Sequence, residues 1–113
     1  MEIHYLYIIF SESINKFYVG ESENPDRRIE LHNQHYFAKG FTKAANDWCL
    51  KLKFPCENKV KAKKLERFIK KMKSRRFIEN IIDKPELLKE IYLLCNSNST
   101  KFLKVILTHQ PPK

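Results

Sequence analysis

The 113-residue chain is short of cysteine, short of glycine and without a long apolar run. Its three cysteines, Cys49, Cys56 and Cys95, are odd in number and widely spaced, which argues against a disulfide framework. No Cys-x-x-Cys occurs, and none of His4, His32, His35 and His109 stands at zinc spacing from a cysteine, so no structural zinc site is expected. The longest unbroken apolar run, Tyr5 to Phe10, is six residues, far below the ~20 that a membrane-spanning helix needs. The opening Met-Glu-Ile-His has neither the basic region nor the apolar stretch of a secretory leader, so the expectation is a cytoplasmic protein with no membrane contact. Glycine occurs only twice. Gly20, at the end of an apolar stretch, then marks a special backbone angle, a close approach by another group, or an ordinary strand end.

What is present is charge of one sign. The length suits one compact domain, and the 42% hydrophobic content suits a folded one. Twenty-two basic residues against thirteen acidic ones leave a net +9. Residues 51–76 hold twelve Lys/Arg and two acids, Glu57 and Glu66, a net +10, so the remaining 87 residues are about neutral. A stripe this concentrated attracts a polyanion, and nucleic acid is the expected partner over a merely solvated helix face.

Residues 3–10, β-branched and aromatic, read as a strand. A polar turn containing Asn15 leads to a second strand at 17–20, giving an antiparallel hairpin. Asn24-Pro25-Asp26 is a helix start: a capping side chain, a proline suited to the first position and an acid at the positive end. This helix should run to about Gln34, followed by a loop over 35–46 with Gly40. Trp48, Leu50, Leu52 and Phe54 alternate, the mark of a third strand, which Pro55 should end. A long basic helix follows from about Asn58 to Lys73, with Ala62, Leu65, Ile69 and Met72 on one stripe. Ser74 caps a short helix carrying Phe77, Ile78, Ile81 and Ile82. Pro85 opens another with Leu87, Leu88, Ile91 and Leu94 inward. Residues 101–108 are open between strand and extended tail. The order predicts an α+β fold: a small antiparallel three-stranded sheet flanked by helices, β-β-α-β-α, with extra C-terminal helices.

Several positions could carry chemistry. Tyr5 and Tyr7 share one strand face, and Tyr18 on the neighbouring strand can reach it. Arg27 and Arg28 occupy the first turn of a helix, where the macrodipole disfavours cations, and a guanidinium there makes a phosphate site. Arg28, His32 and His35 share a helix face. Glu66 borders the apolar stripe of the basic helix. Taken alone, the tyrosines read as sheet filler, His32 as structural and Glu66 as the partner of Lys70 in an i,i+4 salt bridge.

Together, Tyr5-Leu6-Tyr7, Tyr18-Val19-Gly20, Arg28 with His32 four residues on, and Glu66 resemble the GIY-YIG endonuclease superfamily, most closely its small single-domain bacterial members. The stretches Arg27 to Asn33, Phe41-Thr42-Lys43 and Leu65 to Lys70 carry the same resemblance, which covers residues 3–82. Tyr5 stands where the motif has its first glycine, leaving Tyr7 as the match to the first functional tyrosine. The resemblance implies a nuclease domain over 1–95 and a tail, 96–113, of unassigned role. It implies a catalytic set of Tyr7, Tyr18, Arg28, His32 and Glu66. Tyr7 would orient or deprotonate the attacking water, provided positive charge lowers its pKa from ~10. Glu66 would hold Mg²⁺ or Mn²⁺, cations that tolerate a partly hydrated site. Arg27, Lys43, Lys63, Lys70 and Lys73 would bind the nucleic acid, expected to be DNA cut with low sequence specificity. Two other readings stay open: a nucleic-acid-binding protein that keeps the nuclease fold without turnover, and a protein–protein module whose lysines serve solubility.

Overall fold

The computed structural model describes residues 3–34 and 45–96. His35, Gly40, the Phe41-Thr42-Lys43 stretch and residues 101–108, all considered above, lie outside the described residues.

The apolar run near the N-terminus forms β1 (His4–Ser11). Asn15 turns the chain with φ 54°, a left-handed conformation that Asn tolerates well. β2 (Lys16–Ser22) returns antiparallel to β1, with Tyr7 opposite Gly20 and Ile9 opposite Tyr18. α1 (Pro25–Asn33) follows, then β3 (Trp48–Cys56), which pairs antiparallel with the other edge of β1. The sheet order is β2-β1-β3. α2 (Lys59–Met72), α3 (Arg75–Asp83) and α4 (Pro85–Cys95) complete the α+β fold in the expected order. No helix among the described residues is long and apolar enough to cross a membrane.

Three of the four described helices start on a capping side chain, and α4 opens on Pro85 without one. Asn24 accepts from the Arg27 N–H at 3.2 Å, Asn58 from Lys61 at 2.9 Å and Ser74 from Phe77 at 3.1 Å. α2 ends on Lys73 in the left-handed conformation, φ 47°. That break turns the chain into α3 at once.

β1 is apolar from Tyr5 to Phe10 because both its faces are covered. Leu6 and Ile8 enter a large core with Val19, with Ala62, Leu65, Phe68 and Ile69 of α2, and with side chains of α3 and α4. Tyr7 and Ile9 point the other way, into a smaller cluster with Ala45 and Trp48, flanked by Tyr18 and by Ile29 of α1. Two residues outside the expected stripes join the large core. Phe68 widens the α2 stripe. Tyr92 of α4 takes the buried place expected of Leu94: its ring meets Phe54 at 5.4 Å, and its hydroxyl accepts the Glu57 N–H at 3.0 Å.

β3 departs from expectation twice. It does not stop before Pro55 but continues to Cys56, with Pro55 opposite Tyr5. β3 is an edge strand, where a missing N–H costs no ladder bond. Its four alternating apolar residues also fail to share a face. Ile8 pairs with Leu52 and Ile9 with Leu50, so Lys51 is an extra residue in a bulge. The shift leaves Leu52 and Phe54 against the large core and sends Trp48 to the Tyr7 face.

Candidate active site

Tyr7 is the centre. Strand alternation points it away from the helical core, and its phenol leans across β2 over Gly20. A Cβ built on Gly20 would lie 2.5 Å from Tyr7 Oη. Gly20 is therefore required for close approach, and not for a left-handed angle.

α1 closes over the same face. Its cap and Pro25 set the start, and Asn33 fixes the end: its amide donates to the Trp48 carbonyl at 2.9 Å and accepts the Trp48 N–H at 2.7 Å. Held so, α1 buries His32, whose Nε2 lies 3.1 Å from Tyr7 Oη. The His32 ring meets the Tyr18 ring edge-on at 5.3 Å, and Trp48 backs Tyr18 at 6.4 Å. The Tyr7 and Tyr18 rings are 6.5 Å apart. Arg28, one turn before His32 and half-buried, is close enough for its charge to act on both Tyr7 and His32.

Glu66 comes from α2. Its side chain is 20% exposed, and Oε2 accepts from Lys70 Nζ at 3.1 Å. Lys70 Nζ in turn sits 5.4 Å from the Tyr18 ring centroid, and the Glu66 charge reaches Tyr7. The salt bridge to Lys70 and the approach to the tyrosines thus coexist. Lys63, Glu66 and Lys70 are spaced to share one stripe of α2, and Lys73 caps it. Lys63 and Lys73 are exposed. Arg27 is exposed and paired with Glu30 at 3.3 Å. Lys43 lies outside the described residues.

The electrostatics correct one expectation. Burial dominates at Tyr7 and raises its pKa well above the ordinary phenol value, aided by the Tyr18 phenol and by Glu66 and Glu21. Arg28 pulls the other way and does not win. Tyr7 is thus a neutral phenol at physiological pH, suited to orienting a water and unsuited to taking its proton unaided. Burial and the Arg28 charge push His32 down to about 4, so it too is neutral at pH 7.

Sequence reasoning missed Glu21. It is hydrogen-bonded to His4 and lines a groove of about 300 Å³ with Arg27, Arg28 and Lys59. Only the strand register brings His4 and Glu21 together, so no motif could have announced the pair. Among the described residues no three His, Cys, Asp or Glu side chains gather into a metal-ligand group.

Residues 3–80 match the family described as the GIY-YIG catalytic domain. No curated protein and no solved structure gives a significant match.

Proposed function

The chain belongs to the GIY-YIG nuclease superfamily, and on that premise we propose that it is a divalent-metal-dependent endonuclease that hydrolyses phosphodiester bonds in DNA with low intrinsic sequence specificity. The observation that carries the reading is the meeting of side chains from four elements, β1, β2, α1 and α2, around one buried phenol.

Glu66 fits a hydrated cation. It offers one carboxylate with an oxygen not held by Lys70, at the edge of a polar aromatic cluster. With a single protein ligand, Mg²⁺ or Mn²⁺ would keep most of its waters and share substrate phosphate oxygens. Such an ion, when bound, supplies charge neutralisation at the phosphate and its leaving oxygen.

The protein groups do the rest. Arg28, at the positive end of α1, holds the scissile phosphate and stabilises charge that grows on it. In the tautomer of neutral His32 that leaves Nε2 bare, Tyr7 donates its phenol proton to that nitrogen, which leaves the Oη lone pairs to accept from the attacking water and aim it in line. Tyr18 packs between Tyr7, His32 and Trp48 and fixes their positions. Lys63, Lys70 and Lys73 grip flanking phosphates, so affinity falls steeply with salt.

The test compares wild type and Glu66→Gln in Mg²⁺ and in EDTA at two salt levels. Glu66→Gln should abolish cleavage while keeping most DNA binding; undiminished cleavage removes Glu66 from the mechanism. The engagement of Glu66 by Lys70 favours one rival, a binding protein without turnover. That protein would shift DNA and never cut it.

A further inference from the structure

A second groove opens on the other side of Tyr18. It holds about 550 Å³ and lies between β2 and the α2–α3 junction. Its walls are apolar and partly aromatic: Phe17, Tyr18, Val19, Ile69 and Ile78. Lys16, Lys70, Lys73 and Arg75 line it too; among the described residues no carboxylate lines it, although Glu66 pairs with Lys70 at 3.1 Å and Glu79 with Arg75 at 3.6 Å from outside. The groove beside Arg28, by contrast, mixes Glu21 and Glu23 with its cations.

One residue ties this groove to the candidate active site, and another fixes its far end. Lys70, which lines it, also holds Glu66 and lies over Tyr18. The far end is built and fixed: Arg75 donates to the Asn15 carbonyl and to Asn15 Oδ1, both at 2.8 Å, and its guanidinium sits 5.2 Å from the Phe17 ring.

We propose that this groove is a nucleotide subsite, which takes one unstacked base of the strand being cut and holds its phosphates on the surrounding cations. The proposal rests on the nuclease reading above and names its substrate class: strands with unpaired nucleotides are preferred to continuous duplex. An apolar slot with an aromatic wall accepts the face of a base, which a stacked duplex hides, and every base has such a face. The surrounding charge is of the sign a phosphodiester needs. The side-chain oxygens of Asn15 and Ser74, which also line the slot, already accept from Arg75 and from the Phe77 N–H, so a base is held mainly by its face, which agrees with low sequence specificity.

The experiment reads binding, in EDTA, so that it stands apart from cleavage. A 12-nucleotide oligo(dT) carrying one 2-aminopurine, and the same strand annealed to its complement, are titrated with the full chain. The single strand should bind about tenfold more tightly than the duplex, with a change in 2-aminopurine emission that reports altered stacking. Phe17→Leu, which keeps the apolar bulk and loses the aromatic face, should weaken single-strand binding about fivefold or more and duplex binding less than about twofold. Equal affinity of wild type for the two forms overturns the proposal, whether or not the variant folds. So does an equal loss for both forms in Phe17→Leu, or a dimer in sedimentation that excludes the oligonucleotide. Strand preference without any cleavage in Mg²⁺ would uphold the subsite and sink the catalytic reading. Cleavage without preference would do the reverse.

Discussion

The two faces of β1 are made of adjacent residues and behave differently. Leu6 and Ile8 meet only an apolar core closed by three helices. Tyr7 and Ile9, one residue along, meet a smaller cluster covered by α1, where a buried phenol bonds a buried imidazole. One face stores stability. The other spends part of its burial on groups that water would solvate better, and in return shifts their proton affinities. The lesson is that a strand covered on both sides can separate holding the fold from building a site, with a side-chain period of two as the divider.

The comparison breaks most sharply on the helix face. Ile8→Ala removes a side chain with no exposure and should cost about 2–5 kcal/mol in chemical unfolding. Cleavage per folded molecule should stay near the parent value. A variant as stable as the parent would mean that the helix face is not the main store of stability.

The next effect belongs to the other face and is read against pH. His32 titrates near 4 in the fold and near 6.5 when unfolded, so it is neutral in both states above pH 6.5. As pH falls from about 6.5 to 4 the unfolded chain gains a proton that the fold refuses, and stability drops by up to about 3 kcal/mol. Difference curves of unfolding free energy between the parent and His32→Gln should show this slope in the parent alone. Parallel curves would remove His32 as its source.

Gly20→Ala should have the smallest effect on stability and a large one on activity. The new Cβ forces the Tyr7 ring aside, which overpacks the cluster by about 1–3 kcal/mol. Moving Oη also breaks its alignment with His32, so cleavage should fall well beyond what the lost stability explains. Wild-type cleavage by this variant would show that the phenol position is not critical.

Much of this was legible along the chain, because the signals were local. A capping side chain three residues before its N–H partner, a proline at a first helical turn and a lysine-rich amphipathic stripe need no knowledge of the rest of the fold. Asn24 and Ser74 cap where they were expected to, and Asn58, read only as the start of the basic helix, proves to be its cap. The site was legible only in part. Its residue types stood in the sequence with motif spacing, but their proton affinities did not, because burial is a property of the packed molecule. A role for Tyr7 in deprotonating water required positive charge to lower its pKa, and its enclosure by β2 and α1 raises it instead. Glu21 went unseen because its partner His4 is seventeen residues away along the chain and meets it only through strand pairing.

By itself the sequence determined the order of elements, the antiparallel hairpin, the helix starts and the concentration of charge on α2, all consequences of short-range geometry and of the side chains' own chemistry. Tertiary structure alone decided which way Trp48 faces, since a one-residue bulge at Lys51 reverses every side chain beyond it. It also decided that Pro55 could remain in a strand, because β3 lies at an edge where one of its sides bonds no neighbour. Pairing register and burial are set by what lies across the sheet, and no residue carries that information alone.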